Sequence, residues 1–242
     1  MFYKVLNLNL KHNSFQFKEG LNVDSVPFNP FGDCQPGGLY FTDKINVLNW
    51  ASQLSYTNVA DVTVPDDARV VQGKNKWKAD RLILSNIRPI EKFVQELSES
   101  ELFQSVKQNS LALEFINEQT TGLCLEAVKQ NGDSLQFVEK QTEQICFEAV
   151  KQNGWALRFV KEQTEELCLE AVKQNGCALF HVKEQTPRIC LEAVKQNGMA
   201  LRCVKEQTVA LCFEAVKQNS WALTFVEELC FEAMKQNGLA FE

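Results

Sequence analysis

The stretch ICLEAVKQNGMALRCVKEQT, residues 189–208, is nearly a copy of the sequence on either side of it. Ile189, Cys190, Ala193 and Val194 fall at i, i+1, i+4 and i+5, which is one apolar face of a helix. Just upstream, Thr186 is a favourable N-cap residue, and Pro187 sits at the first helical position, where a missing N–H costs nothing. The spacing therefore predicts a helix that starts at Thr186 and stops at Asn197-Gly198. A second short helix is expected at once, because Ala200, Leu201 and Val204 are spaced to share a face and Gln207-Thr208 leads into the next cap.

Working outward, the phrase recurs from about residue 91 with a period of 22 residues. Cys124, Cys146, Cys168, Cys190 and Cys212 keep that interval, and Lys-Gln-Asn recurs in the same register from Lys107 to Asn219. The last interval, Cys212 to Cys230, is 18 residues and lacks a Lys-Glu-Gln-Thr block. Units this short cannot bury an apolar face alone, so stacking into an α-solenoid is expected. A leucine-rich repeat has a similar period but needs a strand and L-x-x-L-x-L-x-x-N spacing, whereas Thr-Pro caps and Asn-Gly stops favour paired helices.

Residues 1–90 read differently. Apolar runs at Phe2 to Leu6, Phe15 to Phe17, Gly38 to Thr42, Val59 to Val64, Arg69 to Val71 and Arg81 to Leu84 alternate with turn signals such as Pro36-Gly37-Gly38 and Pro65-Asp66-Asp67. Ile45 to Leu54 is the most plausible helix. The expected architecture is an α+β N-terminal domain over 1–90, followed by an all-α solenoid of short two-helix repeats over 91–242.

The phrases LCLEAVKQNG (167–176) and ALRFVKEQT (156–164) resemble an uncharacterised short helical repeat found in proteins of giant DNA viruses and some bacteria. The resemblance implies a viral origin and brings no established activity. FKEGLNVDSVPFNP, GGLYFTD and KADRLILSNIR resemble a leader domain that giant-virus proteins place ahead of ankyrin repeats. That pairing implies a module attachable to different interaction arrays.

The chain carries a net charge of −6, with 45% hydrophobic residues. Residues 1–90 hold ten Lys/Arg against eight Asp/Glu (+2), and the remainder fifteen against twenty-three (−8). An acidic repeat half lacks the clustered cations that nucleic acid phosphates require, so no nucleic acid partner is expected. No signal-peptide pattern and no apolar run approaching about 18 residues is present, so neither secretion nor membrane insertion is expected. The expected setting is the host cytoplasm or the virion, with reduced cysteines.

Nine cysteines include no C-x-x-C. Packed helices lie about 8–10 Å apart, a disulfide needs Cα atoms within about 7 Å, and zinc brings two sulfurs within roughly 4 Å. The Cys ladder is therefore expected to be apolar packing, with no metal and no cofactor. His181 and Cys203 occupy a column otherwise held by Phe93, Phe115, Phe137, Phe159 and Phe225. They suggest a nucleophile-base pair or half a metal site, against which stands the aromatic company of the column. The repeated polar set Glu126, Lys129, Gln130 and Asn131 reads as a solvated helix face with a stop, or as a binding ladder.

Variation between copies is the better functional clue. The residue after Asn-Gly or Asn-Ser runs Leu111, Asp133, Trp155, Cys177, Met199, Trp221 and Leu239, and the residue three further on runs Glu114, Gln136, Arg158, Phe180, Arg202 and Thr224. Trp and Arg are favoured interface anchors, so Trp155, Arg158, Met199, Arg202 and Trp221 are the expected contacts to a protein partner, either a host factor or a virion component. The alternative reading of these positions is variable loop and rim packing.

In the leader, GGLYFTD followed by a helix and the strand VADVTVP is similar to the G-x-Y-F segment of ADP-ribosyltransferases. The similarity implies a nicotinamide-holding cleft with Tyr40 and the upstream His12. No Glu lies between Glu19 and Glu91, however, and Asp80 is a poor substitute for the late catalytic Glu. No phosphate-binding G-x-x-x-x-G-K-[ST], H-E-x-x-H or G-x-S-x-G occurs. The expected function is non-enzymatic interaction or structural scaffolding. The alternatives are a divergent nucleotide-handling leader targeted by the repeats, and a minor virion scaffold component.

Overall fold

The computed structural model describes residues 1–12, 14–31, 35–54 and 56–236; Leu239, the last of the variable positions, lies outside them. The chain divides into two compact units, Met1–Leu123 and Cys124–Glu242.

The first unit contains β1 (Phe2–Leu6), β2 (Lys11–His12), β3 (Phe15–Gln16), β4 (Gly20–Val23), β5 (Leu39–Asp43), α1 (Val47–Leu54), β6 (Asn58–Thr63), β7 (Val70–Gln72), β8 (Trp77–Ala79) and β9 (Arg81–Pro89). Seven strands form an antiparallel sheet in the order β4-β9-β6-β1-β5-β8-β7, and β2 pairs with β3 as a separate hairpin. Side chains alternate across a strand, and β1, central in the sheet, is covered on both faces. Leu6 joins Phe17, Phe41, Leu82 and Leu84 in one cluster, while Tyr3 meets Phe93 edge-on at 5.0 Å.

Strands β2, β4 and β8 have no counterpart among the apolar runs of the sequence. In β4 the pattern is inverted: Leu21 and Val23 are exposed and Asn22 is buried. The Asn22 side chain accepts the Lys18 N–H at 2.9 Å and donates to the carbonyls of Lys18 and Gly20.

Two α-helices, α2 (Ile90–Gln95) and α3 (Glu99–Gln108), and the 3-10 helix η1 (Ser110–Phe115) complete this unit's packing. Arg88 is buried and bridges Asp61 and Glu96, each at 2.8 Å. Ser105 donates to the Ile45 carbonyl at 3.0 Å, and Asn109 donates to Asn49 and Ser52.

Ser98 and Glu101 form a capping box at the start of α3, and Glu101 also pairs with Lys44 at 2.8 Å. The Lys44 bond first, and then the Ser98 backbone N–H, pull the Glu101 carboxyl from an ordinary 4.5 to about 2. A carboxylate depressed in the folded state stabilises above its unfolded pKa, and that contribution is lost as pH falls through the folded one. Replacing Glu101 with Gln should therefore destabilise at pH 7 and cost progressively less from pH 4.5 down to about 2. Denaturant melts across that range test this; an equal loss at every pH would contradict it.

Beyond η1 the alternation becomes regular: α4 (Thr121–Gln130), η2 (Gly132–Phe137), α5 (Glu143–Gln152), η3 (Gly154–Phe159), α6 (Glu165–Gln174), η4 (Gly176–His181), α7 (Pro187–Gln196), η5 (Gly198–Cys203), α8 (Val209–Gln218), η6 (Ser220–Phe225) and α9 (Glu228–Gln236). Successive helix pairs pack side by side as an α-solenoid-like array. Thr142, Thr164, Thr186 and Thr208 cap the α-helices, each hydroxyl accepting the N–H three residues on at 3.3 Å. Ile189, Cys190, Ala193 and Val194 are the buried face of α7.

The second helix of each unit is a six-residue 3-10 helix rather than an α-helix. Asn197 does not stop α7 in a left-handed conformation: its φ is −153° and ψ 110°, extended, and its side chain accepts the Met199 N–H at 3.0 Å to start η5. The glycine after it serves close approach. A methyl group on Gly154 would lie 2.6 Å from the Ala171 carbonyl oxygen of the following unit, and Gly132, Gly176 and Gly198 face the equivalent carbonyl.

Two glutamine ladders tie consecutive units together. Gln152, Gln196 and Gln218 each accept the N–H of a glycine 20 residues earlier, at 2.5–2.6 Å. Gln141, Gln163, Gln185 and Gln207 each donate to a carbonyl 18 residues later at 2.8–2.9 Å and accept an N–H 20 residues later at 2.9–3.0 Å. Of the repeated polar set, the glutamines equivalent to Gln130 therefore join one unit to the next.

Candidate functional site

The face that varies between copies is built by the 3-10 helices. At three residues per turn, positions i and i+3 eclipse, so Trp155 and Arg158, Met199 and Arg202, and Trp221 and Thr224 each share one edge of their helix. Ala200 and Leu201 fill the inward side of η5 with no exposed surface. Adjacent 3-10 helices pack against one another, so the outward edges form a stripe.

Among the residues expected to contact a partner, Trp221 is 73% exposed, Arg158 and Arg202 are exposed, and Trp155 and Met199 are half-buried. Arg158 pairs with Asp133 of the preceding unit at 2.7 Å and lies 4.5 Å from the Phe159 ring centroid. Phe180, 69% exposed, belongs to the same stripe and was not among the expected contacts. Its signal was present in the sequence, since it is the large apolar member of a column otherwise holding Glu, Gln, Arg and Thr.

His181 meets Trp155 edge-on at 5.3 Å and Phe180 at 5.1 Å. Burial, and then Arg158, push its imidazole below the ordinary range. It is part of an aromatic cluster, and its column is half-buried at the surface apart from the fully buried Phe93. Burial raises the Cys203 thiol, which is unfavourable for a nucleophile.

Cys146, Cys168, Cys190 and Cys212 are buried free thiols, each donating to a glutamine Oε1 at 3.3–3.7 Å. At the 18-residue interval burial, and then the Cys230 thiol, push Cys212 up to about 12. Among the described residues no group of three His, Cys, Asp or Glu is placed to hold a metal. Cys190→Ala should cost about 1 kcal/mol and leave zinc content unchanged; measured zinc loss would overturn the packing role.

In the leader, His12 and Tyr40 line one cavity of about 210 Å³. Asp24 is the one carboxylate among its described lining residues. Both Asp24 oxygens accept backbone N–H groups, from Val26 at 3.0 Å and Gly38 at 2.6 Å. The Tyr40 hydroxyl donates to the Gln35 carbonyl at 3.3 Å.

Against known proteins, residues 122–164, 142–186 and 164–208 match one family model. Its description is Domain of unknown function (DUF4116). The matches fall on the regular α-helix and 3-10 helix alternation and cover less than half of the chain. Two relatives come from Acanthamoeba polyphaga mimivirus, both named as ankyrin repeat proteins. One is 36% identical over 84 residues, covering 31% of this chain and 27% of its own length. The other is 41% identical over 49 residues, covering 20% of this chain and 15% of its own length. No solved structure matches the chain. No helix among the described residues is long and apolar enough to cross a membrane.

Proposed function

We propose that the chain is a non-enzymatic viral repeat protein whose 3-10 face holds another protein, a host factor or a virion component. The observation that carries this reading is the outward display of Phe180 and Trp221, at 69% and 73% exposure, on the positions where otherwise near-identical copies disagree. Buried face and ladder residues repeat because each performs the same packing task in every unit. The stripe is free of that constraint. Exposed aromatic surface with arginines beside it is the composition of interface hot spots, and a repeat array offers such a surface over many units.

The likeness to mimivirus proteins named for ankyrin repeats supports both the viral origin and the interaction role. In this reading residues 1–90 are a leader module, and the partner's contact segment is acidic or aromatic, to suit Arg158, Arg202 and the exposed rings.

The test compares the full chain with a Phe180→Asp, Trp221→Asp double variant, each used to recover partners from virus-infected cells. The variant should fold with an unchanged circular dichroism spectrum and lose at least tenfold of one specific protein. Undiminished recovery of that protein would contradict the proposal.

A further inference from the structure

The repeat face makes no use of the cavity in the first unit. Its walls include Lys4 from β1, His12 from β2, Phe17, Asp24, Leu39 and Tyr40. Lys4 is 2% exposed, and its Nζ lies 4.9 Å from the Phe17 ring centroid. Among the described residues this ammonium has no hydrogen bond and no ion pair. Among the described residues His12 Nδ1 is also buried without a hydrogen-bond partner.

A buried charge normally has a counter-charge, and a buried ring nitrogen normally has a hydrogen bond. Two such groups on the walls of one cavity are a feature of sites that a ligand completes. Burial alone drives the Lys4 amine down to about 7, with no opposite charge offsetting it. Burial, then Lys4 and Lys76, hold the imidazole of His12 neutral, at about 3.

We propose that this cavity binds a small organic carboxylate with an apolar body. The carboxylate pairs with Lys4, the imidazole of His12 is the second polar contact, and Phe17, Leu39 and Tyr40 cover the body. Among the described lining residues Lys4 is the one ammonium and Asp24 the one carboxylate, with both Asp24 oxygens accepting backbone N–H groups, while His12 is uncharged. A phosphomonoester, carrying about −1.5 to −2, would place more negative charge beside Asp24 than a carboxylate monoanion does. At about 210 Å³ the volume lies below the roughly 300 Å³ at which ligand pockets for drug-sized molecules begin. The occupant is accordingly of benzoate size.

The test uses the full chain with benzoate, phenyl phosphate and benzamide as probes, followed by calorimetry and by NMR of the lysine Cε resonances. Benzoate should bind with one-to-one stoichiometry, at least tenfold tighter than either other probe, and raise the Lys4 titration midpoint by more than one pH unit. Lys4→Met and His12→Phe should each weaken benzoate at least tenfold. The lysine titration of the unsubstituted chain decides the matter even where a variant fails to fold. Absence of saturable benzoate binding, tighter binding of phenyl phosphate, or benzoate binding with the Lys4 midpoint unmoved would each overturn the proposal.

Discussion

Replacing Gly198 with valine should destabilise the chain by about 3 kcal/mol or more, at the upper end of overpacking costs. A Cβ at this position runs into the Ala215 carbonyl oxygen, and comes within 2.7 Å of Gln218 Oε1 and 3.0 Å of Asn219 Cβ. The carbonyl is backbone near the end of α8, so it cannot swing away as a side chain would. Any shift that relieves the clash also stretches the 2.5 Å bond from the Gly198 N–H to Gln218. Ser220 is the internal control, because it holds the equivalent place before the shortened final interval and is exposed. Ser220→Val should change stability by no more than about 0.5 kcal/mol. Denaturant melts of both variants provide the comparison, and equal costs would show that close approach is not what the glycine provides.

Gln185→Leu should cost about 1–3 kcal/mol, the cost of leaving a part-buried polar group such as the Cys203 carbonyl without its partner. The side chain keeps its volume but loses the 2.8 Å bond to the Cys203 carbonyl, the 2.9 Å bond from the Lys205 N–H and the 3.7 Å contact from the Cys190 thiol. Because the first two reach into the next unit, the loss falls on the interface between units, which is where a repeat array gains its cooperativity. The unfolding transition should broaden as well as move. A loss below about 1 kcal/mol with unchanged steepness would mean that apolar packing alone couples the units.

These ladders show how far the sequence was legible. Helix α7 could be read from Thr186, Pro187 and the spacing of Ile189, Cys190, Ala193 and Val194, because caps and periodicity act within a dozen residues. The 3-10 character of η5 could not, since Ala200, Leu201 and Val204 suit either helix. The Asn197 side chain starts it locally by accepting the Met199 N–H, and the close approach of Gly198 to the next unit's Ala215 carbonyl is long-range. In β4, Asn22 is buried because its amide satisfies Lys18 and Gly20, which no alternation of apolar residues announces.

The candidate sites divide in the same way. Trp155, Arg158, Met199, Arg202 and Trp221 came from comparing copies, and the shared edge of the 3-10 helices adds Phe180 to them. His12 and Tyr40 were suggested by resemblance to a nicotinamide cleft and do line one cavity. Lys4 carries no signal of its own in the apolar run Phe2 to Leu6. Only the place of β1 between β5 and β6 puts that side chain inside.

Site-specific photo-crosslinking tests the interaction role most directly. A photoreactive amino acid is placed at position 180 or 221 of the full chain, and in separate samples at position 147 or 213, where the phenylalanines are also partly exposed but belong to the α-helices. The predicted result is one shared protein captured from 180 and from 221 and not from 147 or 213. Capture of the same protein equally from all four positions, or from 147 and 213 alone, would contradict the assignment of the 3-10 face as the partner surface.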